Sequence, residues 1–174
     1  SEMVQYKFWV KSTSEYIKNI DSNHLVTIGV EGIISTALDT NLFVEIHKYT
    51  SIDYATIHLW PKTWRWYNGE SVYSTTDSTL KKTAEYIQLH ANLCREMKLP
   101  LVIEEFGLHR DENKFVETAT TKNRDKYFDF IYKIGKENNV SGYNFWGAFA
   151  YRDKRLTNDY WKYDLPYTAD PPQE

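Results

Sequence analysis

Two adjacent carboxylates end the most strand-like segment of the sequence, LVIEEFG from Leu101 to Gly107. Side chains alternate across a regular strand, so we expect Glu104 and Glu105 to face opposite sides. Only one of them can then point into a site, and alternation alone does not choose between them. That acid could act as a nucleophile or in proton transfer. The alternative is an ordinary acid at a solvated strand end.

A histidine and a tryptophan lie two residues apart in a second strand-like segment, YATIHLW. The same alternation places His58 and Trp60 on one side of their strand. A histidine beside a carboxylate can hold it by hydrogen bonding, although a single histidine is equally compatible with a structural role. The other four histidines lack the spacing of metal ligands, so we predict no metal and no cofactor. They are His24, His47, His90 and His109.

Tryptophans follow two of the strand-like segments. Trp64 and Trp66 lie in the loop after Trp60, and Trp146 ends the segment GYNFW. Aromatic residues make up 16% of a chain that is also 26% charged, which suggests ring-lined surfaces of the kind that stack on sugars. The alternatives are that Trp64 and Trp66 pin down their loop and that Trp146 belongs to the core. A carboxylate, a histidine and several tryptophans together are what a carbohydrate hydrolase needs.

The spacing of apolar residues predicts helices that alternate with strands. Near-continuous apolar strands between helices favour an α/β fold with a parallel sheet. Chemistry in such folds is done at the carboxyl ends of the strands, where the residues above cluster. The predicted helices are Val4–Ile20, one within Leu38–His47, Thr79–Met97 and Arg124–Asn138; the predicted strands are Leu25–Gly29, Tyr54–Trp60, Leu101–Gly107 and Val140–Gly147.

Length and composition limit the classes of protein to which this chain can belong. A chain of 174 residues is expected to form one domain. Its net charge of −3 and its lack of a long Lys/Arg cluster predict neither a nucleic acid nor a membrane as partner. Cys94 is the only cysteine, so an internal disulfide is excluded. No apolar run approaches the roughly 20 residues that would cross a bilayer.

Several motifs, in this order, resemble the last strands of the clan-A glycoside hydrolases of family 5, and specifically the β-mannanases. They are HLVTIGVEG, DYATIHLWPKTW, IEEFG, GYNFWGAF and DPPQE. The resemblance covers nearly the whole chain. It implies a (β/α)8 TIM barrel that hydrolyses internal β-1,4 linkages with retention of configuration. Residues 1–174 would be the C-terminal half of that barrel, with strands five to eight.

The resemblance also implies roles for single residues. Glu105 would be the nucleophile, because the family's carboxylate directly precedes an aromatic residue and a glycine, and Glu104 would be a neighbour facing the other way. His58 matches the histidine of the sixth strand, which lies close to the nucleophile. Trp146 matches the tryptophan beneath the reacting sugar. The residues expected to line the cleft are Trp60, which stands where much of the wider family has tyrosine, Trp64 and Trp66.

One part of the family's machinery has no match. Retaining hydrolysis uses a second carboxyl group, a general acid/base about 5 to 5.5 Å from the nucleophile. In the family it follows an asparagine at the end of the fourth strand, and no such Asn-Glu pair occurs here in that context. We therefore expect this chain alone to be inactive or nearly so. Its open sheet edges would be covered by a second half barrel.

The predicted partner is a β-linked polysaccharide or oligosaccharide, with mannan or glucan left open. The resemblance implies secretion or a periplasmic location, since polymer-degrading enzymes work outside the cytoplasm. Two other functions remain possible from the sequence. One is a carbohydrate-binding remnant without catalysis, and the other is a plain structural α/β module.

Overall fold

The computed structural model describes residues 2–69, 72–113 and 118–146, and in them helices alternate with parallel strands. This order confirms the predicted α/β class. Across these three ranges, none of the helices is long and apolar enough to span a membrane. The helices are α1 (Glu2–Ile20), α2 (Thr40–His47), α3 (Val72–Met97) and α4 (Lys122–Glu137); the strands are β1 (Ala55–Leu59), β2 (Leu101–Phe106) and β3 (Gly142–Tyr143).

The sheet has the order β1-β2-β3, and both neighbouring pairs are parallel. The predicted strand Val140–Gly147 is shorter than expected, and its Gly147 lies outside the described residues. Backbone bonds nevertheless continue past β3, since the Asn144 amide donates to the Ile103 carbonyl at 2.9 Å and the Trp146 amide to the Phe106 carbonyl at 2.8 Å. These bonds fix Trp146 beside the end of β2.

The first predicted strand, Leu25–Gly29, runs beside β1 without forming a regular ladder. Side chains from residues 53 to 56 make hydrogen bonds to the backbone of this segment where a regular strand would have backbone partners. The Val26 amide donates to Asp53 Oδ2 at 2.6 Å, and Thr56 Oγ1 donates to the Val30 carbonyl at 2.9 Å. The expectation of a regular strand is therefore wrong, because side chains of residues next to and within β1 compete for the backbone groups of this segment. We call residues 25–30 the extended segment.

The core lies between the sheet and helices α3 and α4. Ile57 of β1 and Ile103 of β2 are fully buried in it. Helix α3 contributes Ile87 and α4 contributes Ile131, each from the apolar stripe that predicted the helix. Burying a side chain of this size stabilises the fold by roughly 1.5 to 3 kcal/mol. This packing holds the carboxyl ends of β1 and β2 side by side.

A β-bulge interrupts β2. Ile57 pairs with Ile103 but His58 pairs with Glu105, so Glu104 is an extra residue with no partner in the ladder. In a regular strand Glu105 would share a side with Ile103, but the inserted residue shifts the alternation by one and takes Glu105 off the buried side. Phe106 takes the buried position instead and packs against Phe128 of α4, with ring centroids 5.0 Å apart.

Two histidines are buried on either side of Phe43, between α2 and α3. His47 Nδ1 donates to the Phe43 carbonyl, while its Nε2 is buried without a hydrogen-bond partner among the described residues. His90 Nδ1 donates to the Tyr86 carbonyl at 2.8 Å and its Nε2 accepts the Ile33 amide at 2.9 Å. Burial lowers the pKa of each histidine from 6.5 to about 4.

We expect the free energy of unfolding to fall as the pH is lowered from about 6.5 to about 4. In that window the unfolded chain takes up protons at His47 and His90, whereas the folded chain does not. Above the window these two groups contribute no further pH dependence. Urea unfolding at a series of pH values measures this slope. A His47→Leu variant should keep about half of it, and an unchanged slope would contradict the assignment.

Candidate active site

The structure brings four of the predicted side chains together at the carboxyl end of the sheet. His58 is in β1 and Trp60 directly follows it, Glu105 is in β2, and Trp146 follows β3. The parallel order of the strands sends all three strand ends to the same edge. The prediction that His58 and Trp60 share a side is confirmed, since both contact Glu105.

One oxygen of Glu105 has two ring nitrogens beside it. Trp60 Nε1–H donates to Glu105 Oε2 at 3.2 Å, and His58 Nδ1 lies 3.3 Å from the same oxygen. The side chain of Glu105 is 28% exposed, so the held carboxylate remains accessible from solvent. A carboxylate that is held in place and open to solvent is a group that can attack an electrophilic carbon.

Glu104 contacts the same histidine from its other nitrogen. Its Oε2 lies 3.2 Å from His58 Nε2. The expectation that Glu104 faces away is wrong, because the bulge leaves both carboxylates free of the helix-packed face. His58 is thereby held between two acids, and its side chain is only 10% exposed.

The tryptophans fall into two groups. The rings of Trp60 and Trp146 meet nearly at right angles, with centroids 5.9 Å apart, and Trp146 is 42% exposed beside the carboxylates. Trp64 and Trp66 instead pack against Tyr86 of α3, at 5.3 and 5.8 Å, and against the hydrophobic core. These contacts tie their loop to α3, and a role of Trp64 and Trp66 in lining a cleft stays a prediction.

Sequence reasoning missed the residues that hold the loop after the extended segment. The Tyr86 hydroxyl donates to the Glu31 carbonyl at 2.7 Å, and His90 binds the Ile33 amide. Burial raises the pKa of Tyr86, so this donor keeps its proton. Gly32 lies between these bonds with a φ of 96°. A tyrosine and a histidine four residues apart on one helix, facing a glycine, are the signal that could have identified this contact.

The described part of the site holds a solvent-accessible carboxylate, a group that can act as a nucleophile. Within residues 2–69, 72–113 and 118–146, no three His, Cys, Asp or Glu side chains are placed to hold a metal ion. A carboxylate beside exposed aromatic rings is suited to a sugar, whose apolar face can stack on a ring.

Comparisons with known proteins agree with this chemistry. A family model for glycoside hydrolase family 5, β-mannosidase-like, matches residues 1–174. Mannan endo-1,4-β-mannosidase 4 of Solanum lycopersicum is 34% identical over 139 residues, which is 73% of this chain and 32% of the relative. Mannan endo-1,4-β-mannosidase 5 of Arabidopsis thaliana is 28% identical over 173 residues. The chain spans 32% to 39% of the length of these and of a rice relative.

Solved structures give the same result for the fold. The glycoside hydrolase family 5 mannosidase of Rhizomucor miehei is 25% identical with a TM-score of 0.78, covering 97% of this chain and 42% of that one. The endo-1,4-β-D-mannanase of Thermotoga petrophila is 23% identical with a TM-score of 0.66, covering 96% of this chain and 50% of that one. The predicted TIM-barrel type of the parallel sheet is confirmed, in the form of a partial barrel.

Proposed function

We propose a function from one premise: this chain belongs to glycoside hydrolase family 5, in its β-mannosidase-like group. The protein that contains it hydrolyses internal β-1,4 linkages of a mannan-type polysaccharide with retention of configuration. The observation that carries the proposal is the carboxylate of Glu105, held by Trp60 and His58 at the carboxyl end of the sheet. Curated relatives named as mannan endo-1,4-β-mannosidases support the choice of substrate.

In the proposed reaction, Glu105 attacks the anomeric carbon of a mannosyl unit. An ester bond forms to Glu105, the glycosidic bond breaks, and a general acid protonates the leaving oxygen. Water, deprotonated by the same group, then cleaves the ester with a second inversion, so the configuration is retained. His58 orients Glu105. The indole N–H of Trp60 also donates to it, and since indole is a donor only, Trp60 positions the carboxylate without transferring a proton.

The aromatic rings bind the sugar in this proposal. Trp146 forms the platform beneath the reacting unit, with Trp60 at its edge. Trp64 and Trp66 line the cleft further along the loop. A solved Rhizomucor miehei variant that holds mannosyl-fructose supports oligosaccharide binding by a similar fold. Because a polysaccharide is hydrolysed outside the cytoplasm, the protein would be secreted or periplasmic.

The general acid/base belongs to a second half barrel in this proposal, so residues 1–174 alone are inactive or nearly so. Apolar side chains of α1 support the existence of a covering partner. Phe8 is 71% exposed and Ile20 69% exposed, unusual values for a helix beside a parallel sheet. The extended segment and β3, at the two sides of the sheet, would be the edges that the second half completes.

The experiment is reducing-sugar release from β-mannan by this chain alone and by a mixture. The second component is a polypeptide with the four upstream strands of the tomato relative, and size-exclusion chromatography checks that a complex forms. We expect release only from the complex. Release by this chain alone would place an acid/base within it and contradict the half-barrel assignment. A complex that binds mannan oligosaccharides but releases no sugar would favour the carbohydrate-binding alternative.

A further inference from the structure

Both ring nitrogens of His58 face a carboxylate. Nε2 lies 3.2 Å from Glu104 Oε2, and Nδ1 lies 3.3 Å from Glu105 Oε2. The contact with Glu104 has the geometry of a hydrogen bond, and because a carboxylate can only accept, Nε2 is the donor. The two oxygens on opposite sides of the imidazole fix its rotation, which a single partner would leave free.

The bulge in β2 makes this arrangement possible. In a regular strand, consecutive side chains leave on opposite faces, and one histidine could meet only one of the two acids. Glu104 is the residue without a ladder partner, and its carboxylate still reaches His58. Bulges are frequent beside active sites, where they re-aim a side chain. Here the side chain that the bulge redirects is the carboxylate of Glu104.

Space and charge at the site fit a working contact. Glu104 and Glu105 are 27% and 28% exposed, whereas His58 is 10% exposed, so the ring is more enclosed than either acid. Gly29 of the extended segment lies beside Glu104, and even a Cβ there would lie at an ordinary contact distance of 3.6 Å from Glu104 Oε2, so the acid is not crowded from this side. The ring also lies between the two carboxylates and keeps their charges apart.

We propose that Glu104 is a positioning residue, whose carboxylate accepts a hydrogen bond from Nε2–H of His58 and so keeps the Nδ1 side of the ring beside Glu105. This deepens the proposed function and rests on it, since Glu105 is the attacking group there. When Glu105 becomes an ester it loses its negative charge. The hydrogen bond between Glu104 and His58 does not involve Glu105, so the ring keeps its orientation through the intermediate.

The first test needs no hydrolase activity. Nitrogen-15 NMR of the histidine rings is recorded on the full chain as wild type, Glu104→Gln and Glu96→Gln. Glu96 is an exposed glutamate on α3, so its variant matches the charge change. We expect Glu104→Gln to move the Nε2 resonance of His58 toward that of an unprotonated nitrogen, and Glu96→Gln to leave it in place. An unmoved resonance in Glu104→Gln overturns the proposal.

The second test uses the active complex with β-mannan. Glu104→Gln should lower kcat between about 10-fold and 100-fold with little change in KM, the loss expected for a hydrogen bond to a charged group. Glu104→Asp keeps the charge and should recover part of kcat. Equal kcat in Glu104→Gln and Glu96→Gln overturns the proposal. If no complex hydrolyses mannan, the proposed function fails, and the NMR result alone still decides whether Glu104 positions His58.

Discussion

A Glu105→Gln substitution is expected to abolish sugar release by the active complex, with a loss on the order of 10⁴-fold or more. The amide has nearly the size of the carboxylate, and its oxygen can still accept the Trp60 N–H, so the site should keep its shape. It cannot form the glycosyl ester, because the uncharged amide is a poor nucleophile. Initial rates on β-mannan measure the loss.

Two further measurements separate a lost nucleophile from a damaged site. Binding of a mannan oligosaccharide by calorimetry should change little in Glu105→Gln, and Glu96→Gln serves as the charge-matched control. Azide added to Glu105→Ala with an activated mannoside should restore part of the activity and give a mannosyl azide of inverted configuration. Activity of Glu105→Gln near that of the control would mean that another carboxylate attacks, with Glu104 the first to examine.

Gly32→Ala is expected to destabilise the fold by about 3 to 5 kcal/mol. The φ of Gly32 is 96°, a region that side chains rarely allow, and a Cβ there would lie 2.6 Å from both His90 Nε2 and the Tyr86 hydroxyl. Neither neighbour can withdraw freely, because each holds backbone on either side of Gly32 by a hydrogen bond. The loop after the extended segment should therefore lose its support on α3.

Gly29→Ala is the matched control for this prediction. Its φ is also positive, at 71°, but the nearest atom to its Cβ would be Glu104 Oε2 at an ordinary 3.6 Å. In Gly29→Ala only the strain of the positive φ remains, so the free energy of unfolding should fall by about 1 to 2 kcal/mol. Urea unfolding of the two variants beside the wild type measures the difference. Equal losses would show that the contacts of Gly32 with His90 and Tyr86 do not matter.

The helices were the easiest elements to predict from sequence. Helix α1 was predicted as Val4–Ile20 and runs from Glu2 to Ile20, because apolar residues at three- and four-residue spacings favour a helix. The spacing did not identify the buried face, since Phe8 and Ile20 of that stripe are exposed and Val10 is buried. Strands depend on their partners, and this made their lengths harder to predict. The segment Val140–Gly147 has strand composition throughout, yet regular pairing with β2 covers only Gly142 and Tyr143.

The residues of the site also differ in how far their positions could be predicted from sequence. Alternation within β1 was enough to place His58 and Trp60 on one side. The position of Glu104 was not predictable from its own strand, because the bulge brings Phe106 to a buried position where it packs against Phe128, a residue of the next helix. The two tryptophans after Trp60 were ambiguous for a similar reason, since their partner Tyr86 lies about 20 positions further along the chain.

The bulge gives the two glutamates different places in the strand: Glu105 has a ladder partner and Glu104 has none. Without Glu104, β2 would alternate without a break: Ile103 would face the helices, Glu105 would stand opposite His58, and Phe106 would return to the core. Glu104 is thus the extra residue of an otherwise regular strand, and deleting it would preserve the alternation of the residues on either side, although it would remove the partner of His58 Nε2.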